Sequence, residues 1–113
     1  MTKISRATLC ALIDTTQIKI VRVGLRIQSE EIWTQEEVDI KKPQQVLPML
    51  LGLLSTHNRS LQDLSAIYVH AGPGSYTGLR VGFAVANSLG YLLGISVNDR
   101  PIKQAALPTY DSE

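Results

Sequence analysis

The chain has 113 residues, 44% of them hydrophobic, with 11 basic and 10 acidic side chains and a formal net charge of +1. That length suits one domain and excludes a two-lobed enzyme that closes a cleft by itself; the apolar share argues against intrinsic disorder, and the small net charge offers no case for a dedicated nucleic-acid or membrane-surface binder. A single cysteine, Cys10, rules out an internal disulfide framework and any multi-cysteine metal site, and its apolar neighbours mark it as a small buried hydrophobe.

Met1-Thr2-Lys3 leads into a mixed segment with neither the apolar core nor the cleavage site of a signal peptide. The apolar run Thr8 to Ile13 ends in Asp14-Thr15-Thr16 and reads as a buried strand meeting a turn. Gln17 to Ile27 is a second strand, whose alternation slips near Ile20-Val21 and so predicts either a bulge or cover on both faces. Glu31 to Val38 is a third, turned back through Gln28-Ser29-Glu30, and the short links predict an antiparallel meander. The period then changes. Gln45 to His57 places Val46, Leu47, Leu50, Leu51, Leu53 and Leu54 at helical spacing, with Pro48 tolerable in the first turn. Ser60 to Leu64 connects to a β-branched strand over Ser65 to His70. A glycine-rich loop, Gly72 to Gly78, opens a helix from about Leu79 to Leu93, and Ile95-Ser96-Val97 is a last short strand. The order β-β-β-α-β-α-β predicts an α/β fold: a mixed sheet with helices packed against it, as in a ribonuclease H-like/actin-like ATPase (ASKHA) half-domain. Residues 1–98 are expected to form the domain, and residues 99–113 a tail or a residual helix. The longest nearly uncharged helical stretch, Val81 to Ile95, is interrupted by Asn87-Ser88 and is shorter than the ~18–20 residues that span a bilayer, so a cytoplasmic protein without membrane contact is expected.

Both predicted helices are poor in charge. None lies between Pro43 and Asn58, and Arg80 is the only one between Leu64 and Asn98. A helix on the outside of a one-sheet domain normally keeps a polar face. The second helix also repeats small residues at Gly78, Gly82, Ala86, Gly90 and Gly94, a ridge that admits close approach of another backbone. Interior glycine costs about 1 kcal/mol relative to alanine, so a packing reason is implied. The ridge either seats the helix on its own sheet and on the first helix, or docks it on another chain. The second is preferred, because so small a domain cannot easily surround two helices. The expected partner surface is Leu47, Leu50, Leu51 and Leu54 on the first helix, with Gly78, Leu79, Gly82, Phe83, Ala86 and Gly90 on the second.

The loop Gly72-Pro73-Gly74-Ser75-Tyr76-Thr77-Gly78-Leu79-Arg80 joins a strand to a helix. It reads as a tight, capped corner, or as an anion site in which Ser75 or Thr77 caps the helix and Arg80 adds positive charge. It lacks the Gly-Lys-Ser/Thr of a phosphate loop and the spacing of the dinucleotide fingerprint.

As an exact string, Gly-Pro-Gly-Ser-Tyr-Thr-Gly-Leu-Arg-Val-Gly resembles the motif of the bacterial TsaB (YeaZ) family, subunits of tRNA threonylcarbamoyladenosine biosynthesis. Leu12-Ile13-Asp14-Thr15-Thr16, Leu47-Pro48-Met49 and Leu61-Gln62-Asp63-Leu64 are similar to family segments as well, so the resemblance covers about residues 8–98. It implies an actin-like N-terminal domain that is not itself the catalyst and carries no cofactor. It further implies a partner, TsaD, which transfers the threonylcarbamoyl group from its adenylate to N6 of adenosine 37 in tRNA. The two N-domain helices of each subunit would form the contact, in line with the charge-poor helices. The ATPase TsaE would be a further partner, tRNA would be met only indirectly, and the chain would self-pair where TsaD is absent. The family's second actin-like lobe lies beyond this sequence, so no nucleotide cleft is expected from this chain alone.

Asp14 sits where actin-like kinases place a carboxylate near nucleotide phosphates, but a turn-stabilising role is preferred. TsaD holds metal with a His-x-x-x-His pair; the corresponding helix here has only His57, so no metal site is expected. His70, beside the loop, is expected to be a hydrogen-bonded structural histidine. No serine-histidine-acid arrangement is evident, and no catalytic residue is assigned. Basic Lys3, Arg6, Lys19, Arg22 and Arg26 precede acidic Glu30, Glu31, Glu36, Glu37 and Asp39, which predicts cross-strand pairing in the meander; the other reading of Lys19, Arg22 and Arg26 is a weak tRNA contact.

Overall fold

The computed structural model describes residues 8–39, 41–102 and 104–108; Lys3, Arg6 and the tail beyond Pro108 lie outside the described residues. The strands are β1 (Leu9–Asp14), β2 (Ile20–Ile27), β3 (Glu30–Glu37), β4 (Ala66–Val69) and β5 (Ser96–Val97), and the helices are α1 (Val46–Thr56) and α2 (Tyr76–Leu93). The sheet order is β3-β2-β1-β4-β5. β1, β2 and β3 are antiparallel neighbours, and β4 and β5 join in parallel through the helical crossovers. This is the mixed α/β architecture of the ribonuclease H-like/actin-like half-domain.

Of the two readings of the slip in the second strand, the bulge is absent. Ile18 precedes the strand and is exposed, so alternation starts at Val21, and pairing with β3 runs unbroken from Ile20 to Ile27. Val21, Val23 and Leu25 face the core with Leu9, Ala11 and Ile13 of β1, Ile67 and Val69 of β4, and Val97 of β5. Both helices close that face: Val46, Met49, Leu50 and Leu54 of α1 share one cluster with Leu79, Phe83, Ala86 and Leu89 of α2. Fully burying each such side chain contributes about 1.5–3 kcal/mol.

At the start of α1 the N-cap residue makes no side-chain cap bond, and Gln44 Oε1 accepts from the Leu47 amide at 3.0 Å. Gln45, at the N-cap, instead ties the helix to the end of β3. Its Nε2–H donates to Glu36 Oε1 (2.7 Å) and the Glu37 carbonyl (3.2 Å), and its Oε1 accepts from the Asp39 amide (3.0 Å). α2 ends at Gly94, whose φ of 70° is the left-handed cap that glycine adopts without a Cβ penalty. No helix among the described residues is long and apolar enough to cross a membrane.

The opposite face of the sheet carries Arg22, Arg26 and Glu31 of the meander. Arg26 and Glu31, opposite each other across β2 and β3, pair at 3.0 Å, and Arg22 lies over the Trp33 ring at 4.4 Å. Trp33 itself lies on Gly24, where a Cβ would come within 2.8 Å of the indole. Hydrogen bonds from Trp33 Nε1 and then from Arg26 hold the Glu31 carboxyl below its usual range. A lowered folded-state pKa means that the interaction contributes above the ordinary glutamate value and is lost as pH falls through the lowered one. Trp33 is the only tryptophan. Its fluorescence is therefore expected to show an acid transition with a midpoint below that of an ordinary glutamate, and Glu31→Gln to abolish it.

Candidate functional site

The glycine loop is built around the turn that follows β1. Asp14 Oδ1 accepts from the Thr16 amide (3.0 Å) and the Thr16 hydroxyl (2.7 Å), while Asp14 Oδ2 lies 3.8 Å from Arg22. These bonds engage the carboxylate in the turn. The Thr16 carbonyl accepts from the Ser75 amide at 2.9 Å, joining turn to loop. Ser75 caps α2, its Oγ accepting from the Gly78 amide at 3.2 Å. The helix thus begins at Tyr76, three residues before the expected Leu79, because the cap places Tyr76, Thr77 and Gly78 in its first turn.

Three glycines of the motif and its helix meet this turn. A Cβ on Gly74 would lie 2.7 Å from Thr16 Cβ and 2.8 Å from the Thr16 carbonyl oxygen. One on Gly78 would collide with the Thr15 carbonyl oxygen, and one on Gly82 with Thr15 Oγ1. Further along, a Cβ on Gly90 would strike Val97. The small-residue ridge is therefore the seam between α2 and its own domain.

This corrects the expected partner surface. Leu50, Leu54, Leu79, Gly82, Phe83, Ala86 and Gly90 are buried within the domain, and Gly78 faces Thr15. The physical reason is spacing: small residues every fourth position let the helix axis approach the sheet end closely, and the larger neighbours on that face fill the core. Of the ten expected interface residues, Leu51 is exposed and Leu47 is half-buried. The outer face of the helix pair consists instead of Pro48, Leu51, Gly52 and Ser55 on α1, with Ala84, Ser88, Tyr91 and Leu92 on α2. Tyr91 and Leu92 are 60% and 77% exposed, high values for large apolar groups. None of these eight residues is charged, and exposed Arg80, one turn before Ala84, is the one charged side chain of the two helices. The missing charges pointed to the two helices; the phase of each helix against the sheet selects the face.

Arg80, expected to add charge at the loop, engages Tyr76 one turn earlier: its guanidinium lies 5.4 Å from the ring centroid and Nη1 is 3.3 Å from the hydroxyl. His70 is exposed, and its Nδ1 accepts from the Gly72 amide at 3.3 Å. His57 bonds the Leu53 carbonyl at 3.0 Å within α1. Burial pushes the Cys10 thiol up from its usual pKa. An apolar groove of about 630 Å³ opens where the helix N-termini diverge, lined by Ile18, Ile20, Val21, Val46 and Val81, with Lys42 and Thr77 among its polar groups.

Comparison with known proteins places this arrangement. The family model described as TsaD, tRNA N6-adenosine threonylcarbamoyltransferase, matches residues 27–99. The tRNA threonylcarbamoyladenosine biosynthesis protein TsaB of Bacillus subtilis (strain 168) is 35% identical over 89 residues, which cover 76% of this chain and 38% of that protein. TsaB of Escherichia coli (strain K12) is 44% identical over 46 residues, 41% of this chain and 20% of that protein. Among solved structures, YeaZ from Pseudomonas aeruginosa superposes with a TM-score of 0.71 at 27% identity, covering 80% of this chain and 42% of that one. The chain thus spans less than half the length of these relatives.

Proposed function

Because the chain belongs to the TsaB/YeaZ family, within the wider family of the TsaD model, we propose that it is a non-catalytic subunit of tRNA threonylcarbamoyladenosine biosynthesis that docks and activates a TsaD-type transferase. The observation that carries this reading is the outer face of α1 and α2, uncharged apart from Arg80 and bearing exposed Leu51, Tyr91 and Leu92. A helical face without a polar stripe is unusual against water, and exposed apolar side chains grouped on one surface are the ordinary mark of a protein-binding site. In this reading the loop Gly72 to Arg80 acts from beneath, setting the height of α2 over the sheet. A role for tRNA is indirect, through the transferase, and an ATPase of the TsaE type is a further partner of the assembly.

Size-exclusion chromatography of this chain with the TsaD of its own organism tests the proposal. Co-elution at micromolar concentration is expected, and two separate peaks would refute it. The same uncharged face also favours a second reading, a symmetric homodimer formed when the transferase is absent. Genetic rescue separates the two: a scaffold restores the modified nucleoside to cells lacking their own subunit, and a merely self-associating domain does not.

A further inference from the structure

Asn87 lies in the middle of α2, where Asn87-Ser88 breaks an apolar, uncharged stretch. Its side-chain amide is wholly engaged by one residue of the segment after β5. Asn87 Nδ2–H donates to the Ala106 carbonyl at 3.0 Å, and Asn87 Oδ1 accepts from the Ala106 amide at 2.9 Å. Ala106 is 2% exposed, whereas Ala105 and Leu107 on either side are exposed. This alternation is that of an extended segment with one side chain directed inward. Beneath the segment is a space of about 100 Å³, lined by Gly90, Tyr91, Ile95 and Val97 together with Asn87, Gln104 and Ala105. Asn98 makes the same double contact at the other side of β5, with the amide and carbonyl of Val69 at 2.8 and 2.9 Å. β5 is a two-residue strand at the edge of the sheet, and a short edge strand is protected when other chain covers it.

We infer that the flank of α2 around Asn87 is a receptor for an extended backbone carrying a small side chain, filled in cis by residues 104–108 as a strap that covers the β5 edge. Reading both the N–H and the C=O of one residue supplies affinity independent of side chain, as a sheet edge does for an added strand; the enclosed position of the Ala106 methyl supplies the selection for size. Tethering to β5 keeps the segment at high effective concentration, so a single amide suffices to hold it.

Hydrogen exchange of the full chain, read at the Ala106 amide, tests the inference. Asn87→Ala is expected to raise that exchange rate at least tenfold while leaving the β1 amides unchanged; Ser88→Ala, one residue away and exposed, should leave both alone. Size selection is tested in the strap itself, which lies outside the core elements. Ala106→Gly and Ala106→Ser should keep the protection contributed by Asn87, and Ala106→Leu should lose it to the same extent as Asn87→Ala. An Ala106 amide that exchanges equally fast with and without Asn87 would overturn the strap, and equal protection with leucine at position 106 would overturn the size rule.

Discussion

Gly78→Ala is expected to lower the stability of this domain by about 2 kcal/mol, or roughly 10 °C in Tm, as read by thermal unfolding of the purified chain. Alanine is intrinsically better than glycine in a helix by about 1 kcal/mol, so an ordinary helical glycine would give the opposite sign. Here the new methyl would collide with the Thr15 carbonyl oxygen. That carbonyl belongs to a turn held by Asp14 to Thr16 and by Thr16 to Ser75. Backbone in so many bonds cannot yield as a flexible side chain does. Thr15→Val provides the complementary test. Thr15 is 3% exposed, and its Oγ1 is the one buried side-chain polar atom among the described residues without a hydrogen-bond partner. An unsatisfied buried hydroxyl costs about 1–3 kcal/mol, and replacing it by a methyl of similar shape is neutral or favourable. Thr15→Val is accordingly expected to leave Tm unchanged or raise it. A rise with Gly78→Ala, or a large fall with Thr15→Val, would mean that the seam between turn and helix is not as described.

Leu92→Asp is the second substitution with a large expected effect, this time on association and not on folding. With its side chain 77% exposed, the change should leave the folding stability within about 0.5 kcal/mol of the parent. Binding of the TsaD-type partner should weaken by about thirtyfold to several hundredfold, the loss that follows when an apolar anchor of about 2–4 kcal/mol is replaced by a charge. Leu51→Asp on α1 should act in the same direction, and Glu30→Ala on the far edge of the sheet should change nothing. Calorimetric titration of the partner measures all three. Gly82→Leu, by contrast, is expected to disrupt the domain itself, since position 82 faces Thr15 and not a partner. A Leu92→Asp chain that binds as tightly as the parent would remove the outer helix face from the proposed function.

These two expectations mark what could be read before the fold was known. The elements were legible from local signals: alternation after Val21 in β2, the turn at Gln28-Ser29-Glu30 ahead of β3, helical spacing from Val46 to Leu54, and a capped glycine loop ahead of α2. Their order led to a mixed sheet, since short links make a meander and helical crossovers make parallel neighbours. Asp14 could be assigned to a turn from its neighbours alone, and it bonds Thr16 as an Asx turn does. The strap was not legible. Ala106 is one small residue in a segment with no period, and Asn87 looked like an interruption until the fold brought the two together across 19 positions.

Charge placement along the chain was enough by itself to single out α1 and α2, because a helix with no charge or one is evident wherever it lies. Which side of each helix is turned outward is a different kind of fact. The glycine ridge admits close approach equally to a neighbouring chain or to the domain's own turn, and local spacing is identical in the two cases. Only the tertiary structure decides, by placing Thr15, Thr16 and Val97 against Gly74, Gly78, Gly82 and Gly90. The length of one lobe, the uncharged helices and the motif belong to the sequence; the face that remains open belongs to the fold, since it is whatever surface the sheet leaves uncovered.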